Sequence, residues 1–152
     1  MVSSRVIRDL DEYGSLFIRA RACRKVLSLA GEHGVDEQPL LAAAGLSRAE
    51  VENLDVVVPF VSYLDLQQEA AKLSGLAHFG LVMAQQSRTE MFDVLGYLAS
   101  TCSTLGEAYT KISCFGRIWS NAVEYPVCVD SREASFGYRH LCTERSASFH
   151  DA

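Results

Sequence analysis

Apolar positions recur at helical spacing through the first two-thirds of the chain. Leu16, Ala20, Cys23, Leu27 and Ala30 predict a helix over 15–32, with Val26 and Leu29 widening its stripe. Gly31 and Gly34 supply its stop. Asp36 then caps a short helix that tolerates Pro39 in its first turn, has Leu40, Leu41 and Ala44 on its apolar side, and ends at Gly45. Ser47-Arg48-Ala49-Glu50 spells a capping box. The serine oxygen accepts from the Glu50 amide, and the Glu50 carboxylate reaches back to the Ser47 amide. Leu46 and Val51 stand where a hydrophobic staple needs them. This helix is brief, because Val56-Val57-Val58-Pro59 is held extended by β-branching and by its proline.

A helix over 60–73 follows, stopped by Ser74-Gly75, and then one over 77–86. Polar residues 86–90 read as a loop, and 91–100 returns to helix through Phe92, Leu95, Tyr97 and Leu98. Thr104-Leu105-Gly106-Glu107 is a second capping box, opening a helix to about Trp119 with Leu105, Ala108, Ile112, Phe115 and Trp119 as its stripe. The period then changes. Residues 122–129 and 134–142 are short, β-branched and aromatic, and Asp130-Ser131-Arg132-Glu133 lies between them. They predict a hairpin that places Cys128 near Ser135, with Pro126 at an edge or bulge. The expected class is α+β and mostly α: a helical front two-thirds, then a short antiparallel hairpin or sheet.

The length of 152 residues suits one ordinary domain, and 49% apolar with 22% charged residues suits a soluble globular chain. The net charge of −5 argues against a chain that grips nucleic acid by itself. That charge is uneven. Residues 1–30 carry six basic and three acidic side chains, whereas 31–70 carry one basic and eight acidic. The longest uncharged stretch, 73–87, is 15 residues, short of the ~20 that span a bilayer. Charges at Arg5, Arg8, Asp9, Asp11 and Glu12 interrupt any signal-peptide core, so the cytoplasm is the expected compartment.

Candidate chemistry is sparse. The five cysteines are odd in number and lack a C-x-x-C, so they read as reduced thiols packed as small hydrophobes. His140-Leu141-Cys142 shares a strand face, but hairpin pairing leaves His140 roughly 17 Å from Cys128. No metal and no cofactor are expected. Nucleophile elbow, phosphate loop and paired catalytic carboxylates are all missing from the sequence, so no catalytic residue is assigned and the chain reads as no enzyme. A cysteine-dependent enzyme using Cys114 or Cys142 is the least favoured alternative. Residues 40–51 have a helix-turn-helix form, yet Glu50, Glu52 and Asp55 outnumber Arg48, so the reading is a structural corner. Tyr97, Tyr109, Phe115 and Trp119 are core residues by spacing and also the candidate lining of a ligand pocket.

Three ordered stretches carry a family resemblance. The first is His33-Gly34-Val35-Asp36 with 40–47. The second is Val58-Pro59 and Tyr63, with 69–75 and Phe79-Gly80-Leu81. The third is Leu95-Gly96-Tyr97 and Ser100, with 103–108. Together they resemble the N-terminal effector-binding and dimerisation domain of AraC/XylS-family transcription regulators, in the arabinose-binding-like branch. The resemblance implies a cytoplasmic sensor of a small-molecule effector that forms a homodimer. DNA would be contacted only through a C-terminal module that this chain lacks. It transfers no effector-contacting residue. The expected layout is a lead over 1–14, a regulatory domain over 15–142 shortened at its C-terminal end, and a frayed tail over 143–152. A stand-alone dimerisation or interaction protein is the alternative.

Overall fold

A computed structural model describes residues 16–53, 55–130 and 132–141. The expected lead over 1–14, the tail over 143–152, and Cys142 lie outside these described residues. The class is mostly α with short antiparallel strands. The chain divides into two compact units between Arg88 and Thr89.

In the first unit, β1 is Phe17–Arg19, α1 is Arg21–Glu32, α2 is Glu37–Ala44 and α3 is Arg48–Glu52. β2 (Val57–Pro59), α4 (Phe60–Ser74) and α5 (Phe79–Gln85) complete it. The expected helix over 15–32 is corrected at its front. Phe17–Arg19 is a strand, antiparallel to β2, with Ile18 opposite Val58. The physical reason is the partner. Val57–Pro59 is already extended by local sterics, and its backbone polar groups need a ladder, which 17–19 provides. Ile18 and Val58 are both buried, so the pair also closes one side of the core.

The caps of the first unit follow the expected chemistry. The Asp36 carboxylate accepts from the Gln38 amide at 3.0 Å, and Gly45 closes α2 at φ +64°, which costs glycine nothing. At Ser47 both halves of the capping box form: Glu50 Oε2 accepts from the Ser47 amide at 2.8 Å, and Ser47 Oγ accepts from the Glu50 amide at 3.3 Å. The staple residues Leu46 and Val51 are buried. Arg48, the one base of the corner, pairs with both Glu37 and Glu52.

Helix α4 is the hub. It packs on α1, α2, β1 and β2. Phe60, Ser62, Leu64, Leu66 and Ala70 are all buried, so its first half is enclosed on nearly every side. Cys23, Val26, Leu29 and Ala30 of α1 and Leu40 and Leu41 of α2 form the rest of that core.

The second unit starts with a 3₁₀ turn, Thr89–Phe92, then α6 (Asp93–Ser100) and α7 (Leu105–Phe115). A second 3₁₀ turn, Gly116–Ile118, leads to β3 (Val123–Glu124), β4 (Val127–Val129), β5 (Ala134–Phe136) and β6 (Arg139–His140). Helix α7 thus ends at Phe115, where a single helix to Trp119 was expected. The hairpin register agrees with expectation: Cys128 faces Ser135, and Val123 faces His140. The ladder breaks at Pro126, which has no N–H to give; its carbonyl instead accepts from the Gly137 amide at 2.8 Å. The second capping box differs in one half. Thr104 Oγ1 accepts from the Glu107 amide at 3.2 Å, but Glu107 Oε2 takes the Ser103 amide at 3.0 Å. Its other oxygen holds Lys111 at 2.9 Å. The α7 stripe is only partly core, since Leu105 is 66% exposed and Phe115 48%.

Three stability outcomes follow from this packing. Ser47→Ala removes a satisfied cap and lowers unfolding free energy by about 1 kcal/mol. Leu66→Ala empties a fully buried site and costs about 2–5 kcal/mol. Exposed Leu81→Ala stays within about 0.5 kcal/mol of the parent. Urea unfolding followed by far-ultraviolet circular dichroism ranks the three.

Acid also weakens the fold. Hydrogen bonds from the Ser47 hydroxyl and amide hold the Glu50 carboxyl below its ordinary range. Lys111 first, and the Ser103 amide next, do the same for Glu107. A folded-state value below the unfolded one adds stability above about pH 4.3, lost as pH falls through the lowered value. The thermal midpoint therefore drops between pH 5 and pH 3, on the order of the carboxylate range. Glu50→Gln flattens that drop; an unchanged slope removes the capping explanation.

Candidate functional site

The second unit carries the four aromatic residues singled out from the sequence, and each has a different setting. Tyr97 projects from α6 and is 71% exposed, and Phe115 is half exposed at the end of α7. Trp119 is 9% exposed and tilts against Phe92 with ring centres 5.5 Å apart. Tyr109 stacks on Phe136 of β5 at 4.3 Å. No ring contact joins these four to one another among the described residues.

Tyr109 instead begins a continuous run of rings. Phe136 lies 6.0 Å from Tyr125 and nearly parallel to it. Tyr125 meets Tyr138 edge-on at 5.7 Å, and Tyr138 meets His140 edge-on at 4.8 Å. Phe136 ends β5, His140 ends β6 and Tyr138 lies between the two strands, so the run follows every second residue of this segment. Burial pushes the Tyr125 hydroxyl above its ordinary value and lowers His140, so both favour the neutral form.

A groove lies beside this run. It has a volume of about 260 Å³ and is lined by Cys114, Gly116, Arg117, Glu124, Tyr125 and Pro126, among others. Gly116 has an ordinary helical conformation, so its role is space and not backbone freedom. A Cβ there would stand 2.7 and 2.8 Å from two Tyr125 ring carbons. Only glycine lets the end of α7 touch this ring. Glu124 is paired with Arg139 of β6, whose Nε donates at 3.1 Å. That hydrogen bond, and then the charges of Arg139 and Arg117, hold the Glu124 carboxyl below its ordinary range. Arg117 itself is exposed and has no hydrogen-bond partner among the described residues. Sequence reasoning missed Gly116, Arg117, Glu124 and Tyr125. The available signal was Gly116-Arg117 itself, a glycine followed by a charge inside a stripe drawn as one helix.

The first unit has a comparable groove, about 270 Å³, where Arg24, Glu37, Arg48 and Glu52 surround Leu41 and Val51. Its charges are mostly spent on each other, since Arg48 is bound by both glutamates.

Cys23 is buried, and burial pushes its thiol up to about 12, which suppresses the thiolate. Cys114 and Cys128 are exposed. Among the described residues, no three His, Cys, Asp or Glu side chains gather as a metal site, and no helix is long and apolar enough to cross a membrane.

Comparison with known proteins agrees with a regulatory role. Residues 34–150 match the family described as the arabinose-binding domain of AraC transcription regulators, N-terminal. An ornithine utilization regulator of Pseudomonas aeruginosa is 31% identical over 112 residues, which is 72% of this chain. The chain spans about a third of that relative, 32% of its length. With more than half of its length inside the family match, the chain belongs to the arabinose-binding-type N-terminal domains of AraC transcription regulators, a family of regulatory ligand-binding domains.

Proposed function

We propose that residues 15–142 act as the effector-sensing domain of an AraC-type regulator, working in the cytoplasm as a homodimer. The family match over 34–150 carries this reading. DNA is contacted by a separate C-terminal module. Effector binding acts by population shift, favouring one arrangement of the domain and so changing how that module is presented. We place the effector in the second unit, at the groove lined by Gly116, Arg117, Glu124 and Tyr125. Of the four candidate aromatic residues, Tyr109 backs the Tyr125 ring through Phe136 and Phe115 adjoins Gly116 in the chain, whereas Tyr97 and Trp119 are not among the residues that line the groove. The groove is smaller than the ~300–1,000 Å³ typical of drug-sized ligands, which favours a small metabolite. The relative from Pseudomonas aeruginosa regulates ornithine utilization, so amino acids come first in a search.

Thermal shift against a metabolite panel tests sensing. A true effector raises the midpoint with concentration as RT ln(1 + [L]/Kd), about 2.7 kcal/mol at a hundredfold excess over Kd. A panel with no stabilising member removes the sensing reading.

A second reading is assembly without a ligand. The exposed apolar residues Val129, Tyr97, Leu105 and Tyr138 support it. Light scattering over a concentration series then shows a dimer whose stability no metabolite changes. The thiols separate both readings from a cysteine enzyme. Cys114 and Cys128 react with a thiol reagent in the folded protein at ordinary rates, and Cys23 reacts only in denaturant. One hyper-reactive thiol in the native state would reopen an enzymatic reading.

A further inference from the structure

The groove beside Gly116 also indicates a ligand class. We propose that it takes a small organic carboxylate, with Arg117 as the group that binds the anion and the Tyr125 ring as the apolar floor beneath the ligand body. This rests on the reading of the second unit as the sensing part.

Three observations support the assignment. The first is the state of the charges. Two guanidinium groups and one carboxylate act together here, Arg117, Arg139 and Glu124, and only Arg139 and Glu124 are joined. One positive charge is left over, on Arg117, in a chain whose net charge is −5. Arginine is suited to this role, since its planar fork binds a carboxylate through two parallel hydrogen bonds. The second is the floor. Gly116 has no side chain, so the Tyr125 ring comes against the helix end and presents an apolar surface beside the free guanidinium. Phe136 lies parallel to Tyr125, and Tyr138 meets it edge-on, which fixes the ring in place. The third is the contrast with the first unit. Its groove has nearly the same volume, but its two arginines, Arg24 and Arg48, face two carboxylates, Glu37 and Glu52, which both pair with Arg48, so no net positive charge is left there. Around the second groove, Arg117 and Arg139 face the single carboxylate of Glu124, and Arg139 is the one bonded to it.

Glu124 adds a further selection. Its carboxylate borders the groove while bound to Arg139, so it repels a second negative charge on the ligand and can accept from an ammonium group. A monocarboxylate, with or without an amine, fits this balance better than a dicarboxylate or a neutral sugar.

The experiment uses the full chain and its single tryptophan. Trp119 follows Arg117 by two residues and is buried against Phe92, so its emission reports on this unit. Matched probes are titrated at low ionic strength: benzoate against benzamide, L-ornithine against putrescine, and L-arabinose as a neutral sugar. A carboxylate is expected to change Trp119 emission and to raise the thermal midpoint, while its uncharged or decarboxylated counterpart does neither. Arg117→Gln is expected to weaken carboxylate binding roughly tenfold or more, as loss of a hydrogen bond to a charged group does. Arg117→Lys keeps the charge without the fork and should fall between. Gly116→Leu drives a side chain into the Tyr125 ring and displaces the groove's floor, so it should abolish the response while circular dichroism shows the helices retained. Arg117 is exposed, so its variants leave the fold intact, which circular dichroism checks.

Equal binding of a carboxylate by the parent and Arg117→Gln overturns the proposal, and so does a panel in which no carboxylate binds. If L-arabinose or another neutral probe binds and Gly116→Leu removes that binding, the groove remains the sensing site and only the carboxylate class falls. If ligands bind undisturbed by Gly116→Leu, the placement of the site falls as well.

Discussion

The second unit depends on one close approach, the backbone of Gly116 against the ring of Tyr125. It lets the end of α7 lie against the first turn of the strand region. Any Cβ at 116 would push the ring away, because 2.7 Å is well inside van der Waals contact for carbon. With the ring fixed there, Phe136 stacks on it, Tyr138 meets it edge-on, and Tyr109 is drawn onto Phe136. The groove, its apolar floor and the position of Arg117 are consequences of the same contact. A glycine in helical conformation is normally a cost of about 1 kcal/mol relative to alanine. Here that cost is offset by packing that no other residue permits.

The first unit is organised differently. Its centre is a helix buried on nearly every side, Phe60–Ser74, with short capped helices around it. Its polar chemistry is local and largely self-satisfied: Asp36 on Gln38, Ser47 with Glu50, Arg48 between two glutamates. Exposed ion pairs of that kind contribute little stability, a median of ~0–1 kcal/mol. Their effect is to leave few uncommitted charges on this surface. The acidic balance of 31–70 is therefore a solvated face with internal pairing. The second unit retains an uncommitted cation beside an aromatic floor, which is the more useful arrangement for recognising a small anion.

Much of the architecture was legible from local chemistry. Both N-terminal caps at Asp36 and Ser47, the glycine stops at 45 and 75, the extended Val57–Pro59 and the register placing Cys128 opposite Ser135 are decided within a few residues of themselves. Family membership was legible too, because it rests on the order and spacing of such signals. The strand at Phe17–Arg19 was not. Its apolar spacing also suits a helix, and only a partner forty residues away settles the choice. The helix drawn through to Trp119 failed for a related reason. Leu105 and Phe115 keep helical spacing with Ala108 and Ile112, but spacing cannot say whether an apolar residue has anything to pack against.

The candidate site marks the same division. Sequence determined the local elements: which segments wind, where they are capped, where the period changes to strands, and which aromatic and charged residues the second unit holds. Tertiary structure decided which of those residues are neighbours. It joined Glu124 to Arg139 across paired strands, left Arg117 with no such partner, and laid Tyr125 on Gly116. The physical reason is range. Caps, turns and β-branching act through backbone atoms within about one helical turn, whereas an ion pair or a ring contact depends on how distant segments dock.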